Sequence, residues 1–495
     1  MDNNSRRGGA ESGSVATNMV WSVVERVTSQ LLSTLISILL ARILLPEDYA
    51  SVALVTVFVN LAGTVVSSSF SSALIYDKEQ SVEHYSTALY AVLIFTGALY
   101  AILFAVAPLI SSYYEDPAVL SITRVMSLLF VLQGVYSILF AYVSKNMLFR
   151  KTNAANMVGA LTGAVIAIAL ALNGHGVWAL VCLPMVECAV SSTILWVRIK
   201  FRLSWTFDWP YVKFMVKYCT KFVVVDLLNS LYSSINSLTI AKKYSKADLS
   251  YYTKAYNLPQ MLLGSVNTAI SKVLFPVFSK SNGDIEEVRD KLRMGIKLSC
   301  YVLMPLMAGL MMVSDAAVRF LFTEKWIGMV PYLQIMCVLW AFQPVQICAI
   351  QAFKAIGKGD EYLRLEIYKK GISLAILFTL LYLVNDPIAV AWAAVGGQIV
   401  SCLINVPFLK KLLHYSVRHQ LMDLLEPIVL CAVMGVAVYW AGTLVALPIA
   451  CLMIQVFVGI SVYILISAVT KNKNFYSLLR MLKDMLARRG KTEEN

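Results

Sequence analysis

The chain has 495 residues, of which 59% are hydrophobic and only 14% charged, and its formal net charge is +13. Soluble globular proteins are about 45–50% apolar and about 25% charged, so this composition excludes an ordinary soluble domain. Apolar runs of about 20 residues recur along the chain, and such runs are long enough to cross the hydrocarbon core of a bilayer. The sequence therefore predicts an all-α integral membrane protein.

Several kinds of chemistry are also excluded by the residue patterns. The nine cysteines lie in apolar runs without a Cys-x-x-Cys pair, which is typical of cysteine used as a small hydrophobe. No histidine stands in a His-Glu-x-x-His motif, and no phosphate-binding Gly-x-x-x-x-Gly-Lys-[Ser/Thr] loop is present. No large outer loop carries the paired carboxylates that a membrane glycosyl transferase needs. We therefore expect no metal, no cofactor and no enzymatic activity.

The chain opens with a polar, Gly/Ser-rich tail at residues 1–16, which we predict to be disordered. This tail lacks the apolar segment of a cleaved signal peptide. About fourteen transmembrane helices are predicted to follow it. They cover residues 17–43, 49–75, 85–111, 118–143, 153–173, 176–197, 213–241, 249–276, 296–318, 330–353, 367–385, 388–409, 424–446 and 449–470.

The charges of the connecting loops predict the orientation of the chain. Most lysines and arginines outside the spans fall in alternate loops and in the two tails, whereas the opposite loops hold only Arg42, Lys242, Lys243, Lys246, Arg319 and Lys325. Positively charged loops are retained in the cytoplasm, so both termini are predicted to be cytoplasmic. This distribution explains much of the net charge without a nucleic-acid partner.

The last segment, residues 471–495, is basic and amphipathic. Its apolar residues Phe475, Leu478, Leu479, Leu482 and Leu486 share one helical stripe, and its basic residues lie largely off that stripe. This pattern predicts a helix lying on the anionic inner leaflet, and a partner-binding helix is the alternative.

The sequence contains a weak internal repeat at an offset of 200 residues. SILLARILLPED, residues 37–48, aligns with SLTIAKKYSKAD, residues 237–248, and both fall on the first hairpin of a six-span half. Because six is even, both halves enter the membrane in the same orientation, as in parallel-repeat transporters. The predicted organisation is a tail (1–16), an N-lobe (17–199), a cytoplasmic linker (200–212), a C-lobe (213–413), two further helices (414–470) and the basic tail (471–495).

The segment LSYYTKAYNLPQ, residues 249–260, is unusually polar for a membrane span. On a helix, Lys254, Asn257 and Lys272 fall on one narrow face together with three hydroxyl side chains. Lys254 and Lys272 are roughly 27 Å apart along the helix axis, so this polar stripe crosses most of the bilayer. The three tyrosines of the segment either stack on sugar rings or form an interfacial belt.

The first and seventh spans carry similar stripes, which include Glu25 and Arg26 in the first and Lys221 and Asp226 in the seventh. An ionisable residue in the middle of the membrane costs at least about 2.5–3.5 kcal/mol when it faces lipid, so these stripes must line water or pair with one another. Interhelical hydrogen bonds, and a buried Glu25–Arg26 ion pair, are the alternatives. Three long stripes in the helices that open both halves favour a hydrated cavity.

Cations outnumber carboxylates in this predicted cavity, which favours an anionic cargo such as a phosphate or an acidic sugar. The candidate substrate-binding residues are Arg26, Lys221, Lys254, Lys272, Asn257 and Arg124. Arg124 is equally well interpreted as a snorkelling residue at the outer interface. The candidate proton-coupling carboxylates are Glu25, Asp226 and Glu187, and a protonated core acid is the alternative for Glu187.

Several segments resemble the Wzx-type polysaccharide flippases of the multidrug/oligosaccharidyl-lipid/polysaccharide exporter superfamily. They are LLARILLPEDYASVALVTVF (39–58), LSYYTKAYNLPQ (249–260), KVLFPVFSK (272–280), FTEKWIGMVPYLQIM (322–336) and AFKAIGKGDEY (352–362). The resemblance implies two six-helix lobes facing each other in a V, plus two C-terminal helices. It also implies the flipping of an undecaprenyl-pyrophosphate-linked oligosaccharide for surface polysaccharide synthesis.

The sequence thus predicts a monomeric transporter of the bacterial cytoplasmic membrane that works by alternating access. Its expected partners are the lipid-linked oligosaccharide and membrane lipids, with other polysaccharide assembly proteins as further candidates. A cation-coupled multidrug exporter is the alternative function, although drug exporters favour acidic cavities. A membrane enzyme of glycan assembly is a third class, which the short outer loops disfavour. The sugars of the cargo, the final polymer and the coupling ion are left open.

Overall fold

A computed structural model describes residues 28–76, 81–146, 148–200, 203–279, 285–355, 359–445 and 447–480. Its described secondary structure is helical, which confirms the predicted all-α class. Two predicted site residues, Glu25 and Arg26, lie outside the described part of the chain, as do residues 481–495 of the predicted amphipathic tail.

The helices follow one another with short connections. The first described helix is α1 (Thr28–Ile43). It is followed by α2 (Pro46–Tyr76), α3 (Val82–Tyr114), α4 (Pro117–Met126), α5 (Leu129–Lys145), α6 (Phe149–Leu172), α7 (Gly176–Ile199), α8 (Trp209–Lys243) and α9 (Lys246–Ser279). The second half holds α10 (Ile285–Phe322), a 3₁₀ turn (Glu324–Trp326), α11 (Met329–Ala341), α12 (Gln343–Ala355), α13 (Gly359–Leu383), α14 (Pro387–Leu413), α15 (Val417–Thr443) and α16 (Pro448–Val469).

Within the described residues, each predicted span overlaps one helix or a pair of consecutive helices. Among the described residues, nine helices or helix pairs are long and apolar enough to cross a membrane, so the chain is a multi-pass membrane protein. The exact count of fourteen spans stays a prediction. The fourth and tenth predicted spans are interrupted, between α4 and α5 and between α11 and α12. At the second interruption, Pro344 lacks the N–H that would continue the hydrogen-bond ladder.

The helices cluster into two compact units, Met1–Ser250 and Tyr251–Asn495. In the first unit, α6 packs tightly on α7 because Gly159 and Gly163 let the two backbones approach each other. A Cβ atom at Gly159 would lie 2.6 Å from the carbonyl oxygen of Glu187, and one at Gly163 would lie 3.0 Å from that of Leu183. The predicted six-helix lobes stay a prediction.

In the second unit, α10 holds α15 through a buried carboxylate. Asp423, which is 3% exposed, accepts hydrogen bonds from the Arg293 guanidinium and from Tyr415 Oη at 2.7 Å. Its other oxygen lies 3.0 Å from Lys297 Nζ. Two cations and a hydroxyl therefore satisfy this carboxylate, which is the condition for burying a charge in a stable fold.

The two hairpins of the sequence repeat are built alike. In the α1–α2 turn, the backbone N–H of Leu45 donates to Asp48 Oδ2 at 3.0 Å. In the α8–α9 turn, the backbone N–H of Ser245 donates to Asp248 Oδ2 at 3.3 Å, and Asp248 N–H returns a bond to Ser245 Oγ at 3.1 Å. The α8–α9 contact is a reciprocal cap of the kind that fixes the start of a helix, and the α1–α2 contact supplies one of its two bonds. The aspartates that align at an offset of 200 residues therefore perform the same local role.

Candidate functional site

Helix α9 presents two opposite faces. Its buried residues Tyr252, Ala255, Pro259 and Leu263 share one side, whereas Asn257 is exposed on the other side and Lys254 is partly buried there. Lys254 and Asn257 of the predicted polar stripe thus lie opposite the packed face of this helix, whereas Ser250 of the same stripe is fully buried. Lys221 and Lys272 belong to described helices by their backbones only, and their side chains lie outside the described part of the chain.

The tyrosines of LSYYTKAYNLPQ anchor α9 to its own unit. Tyr252 is 3% exposed and meets Tyr332 edge-on at a centroid distance of 6.5 Å. Tyr256 packs on Trp340 at 5.3 Å, and Trp340 Nε1 donates to the Tyr256 carbonyl at 3.2 Å. Tyr251 Oη donates to a backbone carbonyl at 3.2 Å in the turn before α11. These rings contact protein aromatics, so Tyr252 cannot serve as an open platform for a sugar.

The three remaining predicted site residues of the first unit lie on different helices. Arg124 belongs to α4, and its guanidinium lies 4.3 Å above the centroid of the Phe104 ring in α3. Glu187 lies at the middle of α7 and Asp226 lies in α8, and both side chains are partly buried. Among the described residues, no hydrogen bond or ion pair joins any two of these three side chains.

A charged cluster that the sequence did not reveal joins the two turns α3–α4 and α8–α9. Lys246 Nζ lies 2.8 Å from Asp116 Oδ2, and the same oxygen accepts a hydrogen bond from Ser51 Oγ at 2.6 Å. Lys242 Nζ lies 3.1 Å from Glu115 Oε1 and donates to the Tyr113 carbonyl at 2.6 Å. We call this set of contacts the hairpin latch.

The hairpin latch is reinforced by the first hairpin of the repeat. Ser250, which is fully buried, donates its hydroxyl to the carbonyl oxygen of Pro46 at the start of α2. An open cavity of about 160 Å³ lies beside these contacts, and its lining includes Ala50, Ser51 and Tyr244. The two repeated hairpins are therefore held together at the ends that bear the matching aspartate caps.

Local sequence explains why Asp116 can serve this role. It caps α4 by accepting the Ala118 N–H at 3.1 Å, and Pro117 occupies the first helical position, where its missing N–H costs nothing. Burial alone raises the pKa of this carboxyl, but hydrogen bonds from Lys246 and Ser51 outweigh burial and hold the pKa below its ordinary value of 3.8. Asp116 is therefore ionised at neutral pH.

The backbone fold defines the class of protein. It matches "Lipid II flippase MurJ, inward closed conformation" with a TM-score of 0.73 at 17% identity, over 91% of this chain and 98% of that one. It also matches an inward-facing "multidrug resistance MATE family transporter of the MOP superfamily" with a TM-score of 0.62 at 15% identity, over 78% of this chain and 97% of that one. The chain therefore shares the fold of these two solved structures.

The sequence then gives the family. Residues 39–331 match the family model described as "Polysaccharide biosynthesis protein", and the chain belongs to that family. It is 25% identical over 392 residues to the "Succinoglycan biosynthesis transport protein ExoT" of Rhizobium meliloti, covering 79% of this chain and 76% of that protein. It is 24% identical over 333 residues to the "Lipopolysaccharide biosynthesis protein WzxC" of Escherichia coli, covering 66% of each.

These matches confirm the predicted relationship to the Wzx-type flippases. They also support the predicted class of function, because the matched proteins carry transport and flippase names. The chain is a membrane protein of polysaccharide biosynthesis and transport, and it is not an enzyme.

Proposed function

We propose that this chain moves undecaprenyl-pyrophosphate-linked oligosaccharide repeat units from the cytoplasmic to the outer leaflet of the bacterial cytoplasmic membrane. The family match and the flippase fold support the export of a polysaccharide or a lipid-linked oligosaccharide. The cationic polar stripes of the sequence support a cargo whose head bears phosphate charges.

The hairpin latch is the observation that supports alternating access. It joins α8–α9, the first hairpin of the second repeat, to α2 and to the α3–α4 turn. The loop charges predict that these turns lie on the outer side of the membrane. All of these residues belong to the first unit, and if alternating access moves these turns apart, the Lys246–Asp116 and Lys242–Glu115 ion pairs must break.

In this mechanism, the polar face of α9 presents positive charge to the cargo. The aromatic contacts fix the opposite face of the helix, so the direction of the Lys254 stripe is set by packing. Lys254 would attract the pyrophosphate as a point charge without imposing one geometry, which suits a group that must move on. Arg26, Lys221 and Lys272 would extend the cationic path, with Asn257 donating hydrogen bonds.

Proton coupling is a further part of the proposal. Glu187 and Asp226 are partly buried carboxyls in membrane helices, where protonation removes the cost of a charge. Glu25 is the third candidate. Collapsing the pH gradient across vesicles should slow flipping, and an unchanged rate would remove this part of the mechanism.

A multidrug exporter is the second candidate function, because transporters of the MATE family share the fold. Deletion of the encoding gene separates the two functions. An export defect should cause accumulation of lipid-linked oligosaccharide that faces the cytoplasm. A normal cell envelope combined with hypersensitivity to drugs would instead favour the multidrug exporter and contradict our proposal.

A further inference from the structure

An arginine lies on the outward face of a membrane span in the first unit. In α4, Val119, Ile122, Thr123 and Met126 are buried and form the face that packs inward. Pro117, Ser121 and Leu128 are exposed, and Arg124 lies at helical spacing in the middle of this exposed face. The residue therefore does not point into the core of its own unit.

The guanidinium of Arg124 is poorly satisfied by the protein. It contacts the ring of Phe104, whose side chain belongs to the exposed face of α3. Its Nε atom is buried and has no hydrogen-bond partner. Within the described part of the chain, no carboxylate or carbonyl accepts a bond from any of its N–H donors. A guanidinium cannot lose its charge at neutral pH, so its terminal N–H groups, which the described residues leave unpaired, are available to an acceptor from outside the protein.

The depth of this site matches the edge of the hydrocarbon layer. Helix α3 has 33 residues, so it is about 50 Å long and exceeds a hydrocarbon core of roughly 30 Å. When the extra helix length is shared equally between the two ends, the hydrocarbon core of the bilayer begins about 10 Å from the end of α3. Phe104 lies ten residues before the last residue of α3, or about 15 Å along the helix. The guanidinium is therefore within reach of lipid headgroups by snorkelling.

From this geometry we propose that Arg124 and the surface of α3 and α4 form a binding site for the phosphodiester of a bilayer phospholipid. The guanidinium donates two parallel N–H hydrogen bonds to the phosphate, while the Phe104 ring makes a cation–π contact with its planar face. The acyl chains lie along Ala105 and Leu128, which are exposed and apolar. The inference is independent of the proposed transport function.

The charge of the site favours a phosphodiester over a pyrophosphate. Among the described residues, Glu115 and Asp116 in the neighbouring turn are bound by Lys242 and Lys246, so those two lysines are already engaged by carboxylates. One guanidinium neutralises the single negative charge of a phosphodiester. A pyrophosphate carries more charge and would need further cations.

Native mass spectrometry of the full chain, purified with phosphatidylglycerol, tests the site. We expect the parent protein to retain phosphatidylglycerol, and we expect Arg124→Gln to lower its occupancy about tenfold, the loss of one charge-assisted contact. Arg124→Lys should retain part of the binding, since it keeps the charge and loses the fork. Diacylglycerol, which lacks the phosphate, should not be retained.

The matched control is Arg319→Gln, because Arg319 also lies near the end of a span but is already paired with Asp315 and Glu324. This control should retain phosphatidylglycerol like the parent. Equal retention by Arg124→Gln and the parent would overturn the inference. Displacement by polyprenyl pyrophosphate at equal concentration, or by inorganic phosphate alone, would also overturn it.

A second measurement covers the case in which Arg124→Gln does not fold. A phosphatidylglycerol with a photoreactive headgroup, bound to the unaltered protein, should cross-link within residues 100–128. Cross-links confined to other helices would contradict the proposed site.

Discussion

The hairpin latch makes the strongest quantitative prediction. Asp116→Asn removes the charge that Lys246 contacts at 2.8 Å. Its one amide oxygen can still accept the Ala118 N–H in place of Oδ1, while the amide NH2 group replaces Oδ2 and can donate to Ser51 Oγ. The Asp116 side chain is 8% exposed and that of Lys246 is 53% exposed. The stabilising energy of this pair is therefore expected to lie between that of an exposed ion pair, which is up to about 1 kcal/mol, and that of a buried one, whose disruption costs about 3–5 kcal/mol.

Asp116→Asn should therefore destabilise the latched state by about 1–2 kcal/mol, which corresponds to a roughly 5- to 30-fold rise in the population in which the latch is open. The rise can be measured with a cysteine at Ala50, which lines the cavity and is 2% exposed. In a chain with its nine native cysteines replaced, a membrane-impermeant maleimide should label Ala50→Cys faster when Asp116→Asn is also present.

Asp315→Asn is the matched control, because Asp315 forms an ion pair with Arg319 one turn away on the same helix and joins no second segment. It should leave the labelling rate unchanged. A double-mutant cycle with Lys246→Gln should be strongly non-additive if the two side chains act as a pair. Labelling of Asp116→Asn at the parent rate, or additive effects in the cycle, would refute the latch.

The same pair predicts the response to pH. The pKa of Asp116 is held below 3.8 in the folded protein, so its stabilising contribution is fully present above that value. It is lost as the pH falls through the folded pKa. Because maleimide reacts with the thiolate, the readout is the ratio of the Ala50→Cys labelling rates with and without Asp116→Asn at the same pH, in which the thiolate fraction cancels. This ratio should be constant from about pH 8 to pH 5 and should fall toward one as the pH approaches the folded pKa of Asp116.

Three further predictions concern packing, transport and topology. Gly159→Val should overpack the α6–α7 contact, destabilise the protein by about 1–3 kcal/mol and lower its unfolding temperature. Gly97 has open space around it, so Gly97→Val should leave the unfolding temperature unchanged. Equal melting curves of the two variants in detergent would contradict the packing of α6 on α7. Lys254→Ala should insert normally but lose most export, whereas Lys254→Arg should keep a substantial part of it. Lys254→Glu should show the lowest export, because it repels an anionic cargo. Parent-like export by Lys254→Glu would exclude the cationic path. A reporter fused after Lys358 should indicate the cytoplasm and one fused within residues 323–329 the outside, and the reverse result would overturn the predicted orientation.

Helix positions and the hairpin repeat were accessible from sequence because both depend on local patterns. Apolar runs of about 20 residues define the spans, and the Asp48 and Asp248 caps act only three residues away from their donors. The interruption before Pro344 also has a local cause. The interruption between α4 and α5 contains neither proline nor glycine, and nothing in the structure explains it.

The hairpin latch was not accessible, because its partners are distant in sequence. The motif Asp116–Pro117 signals the start of a helix and could have been recognised as such. Nothing local to it indicates Lys246, which lies 130 residues later. Loop charge predicts an outer position for Lys242 and Lys246, but a topology signal carries no information about their partners. Their roles as ion-pair partners emerge only when the two turns are brought together.

The polar segment of α9 shows why a membrane helix can be both polar and stable. Its aromatic residues Tyr252 and Tyr256 supply the packing that holds the helix in its unit. They lie opposite Lys254 and Asn257, so the main aromatic packing of this helix does not involve these two polar residues. Sequence alone placed all of these residues on one helix but could not say which face was buried. Because packing and charge are separated on opposite faces, substitutions of Lys254 can change transport while leaving the fold intact, whereas substitutions of Tyr252 should destabilise the fold first.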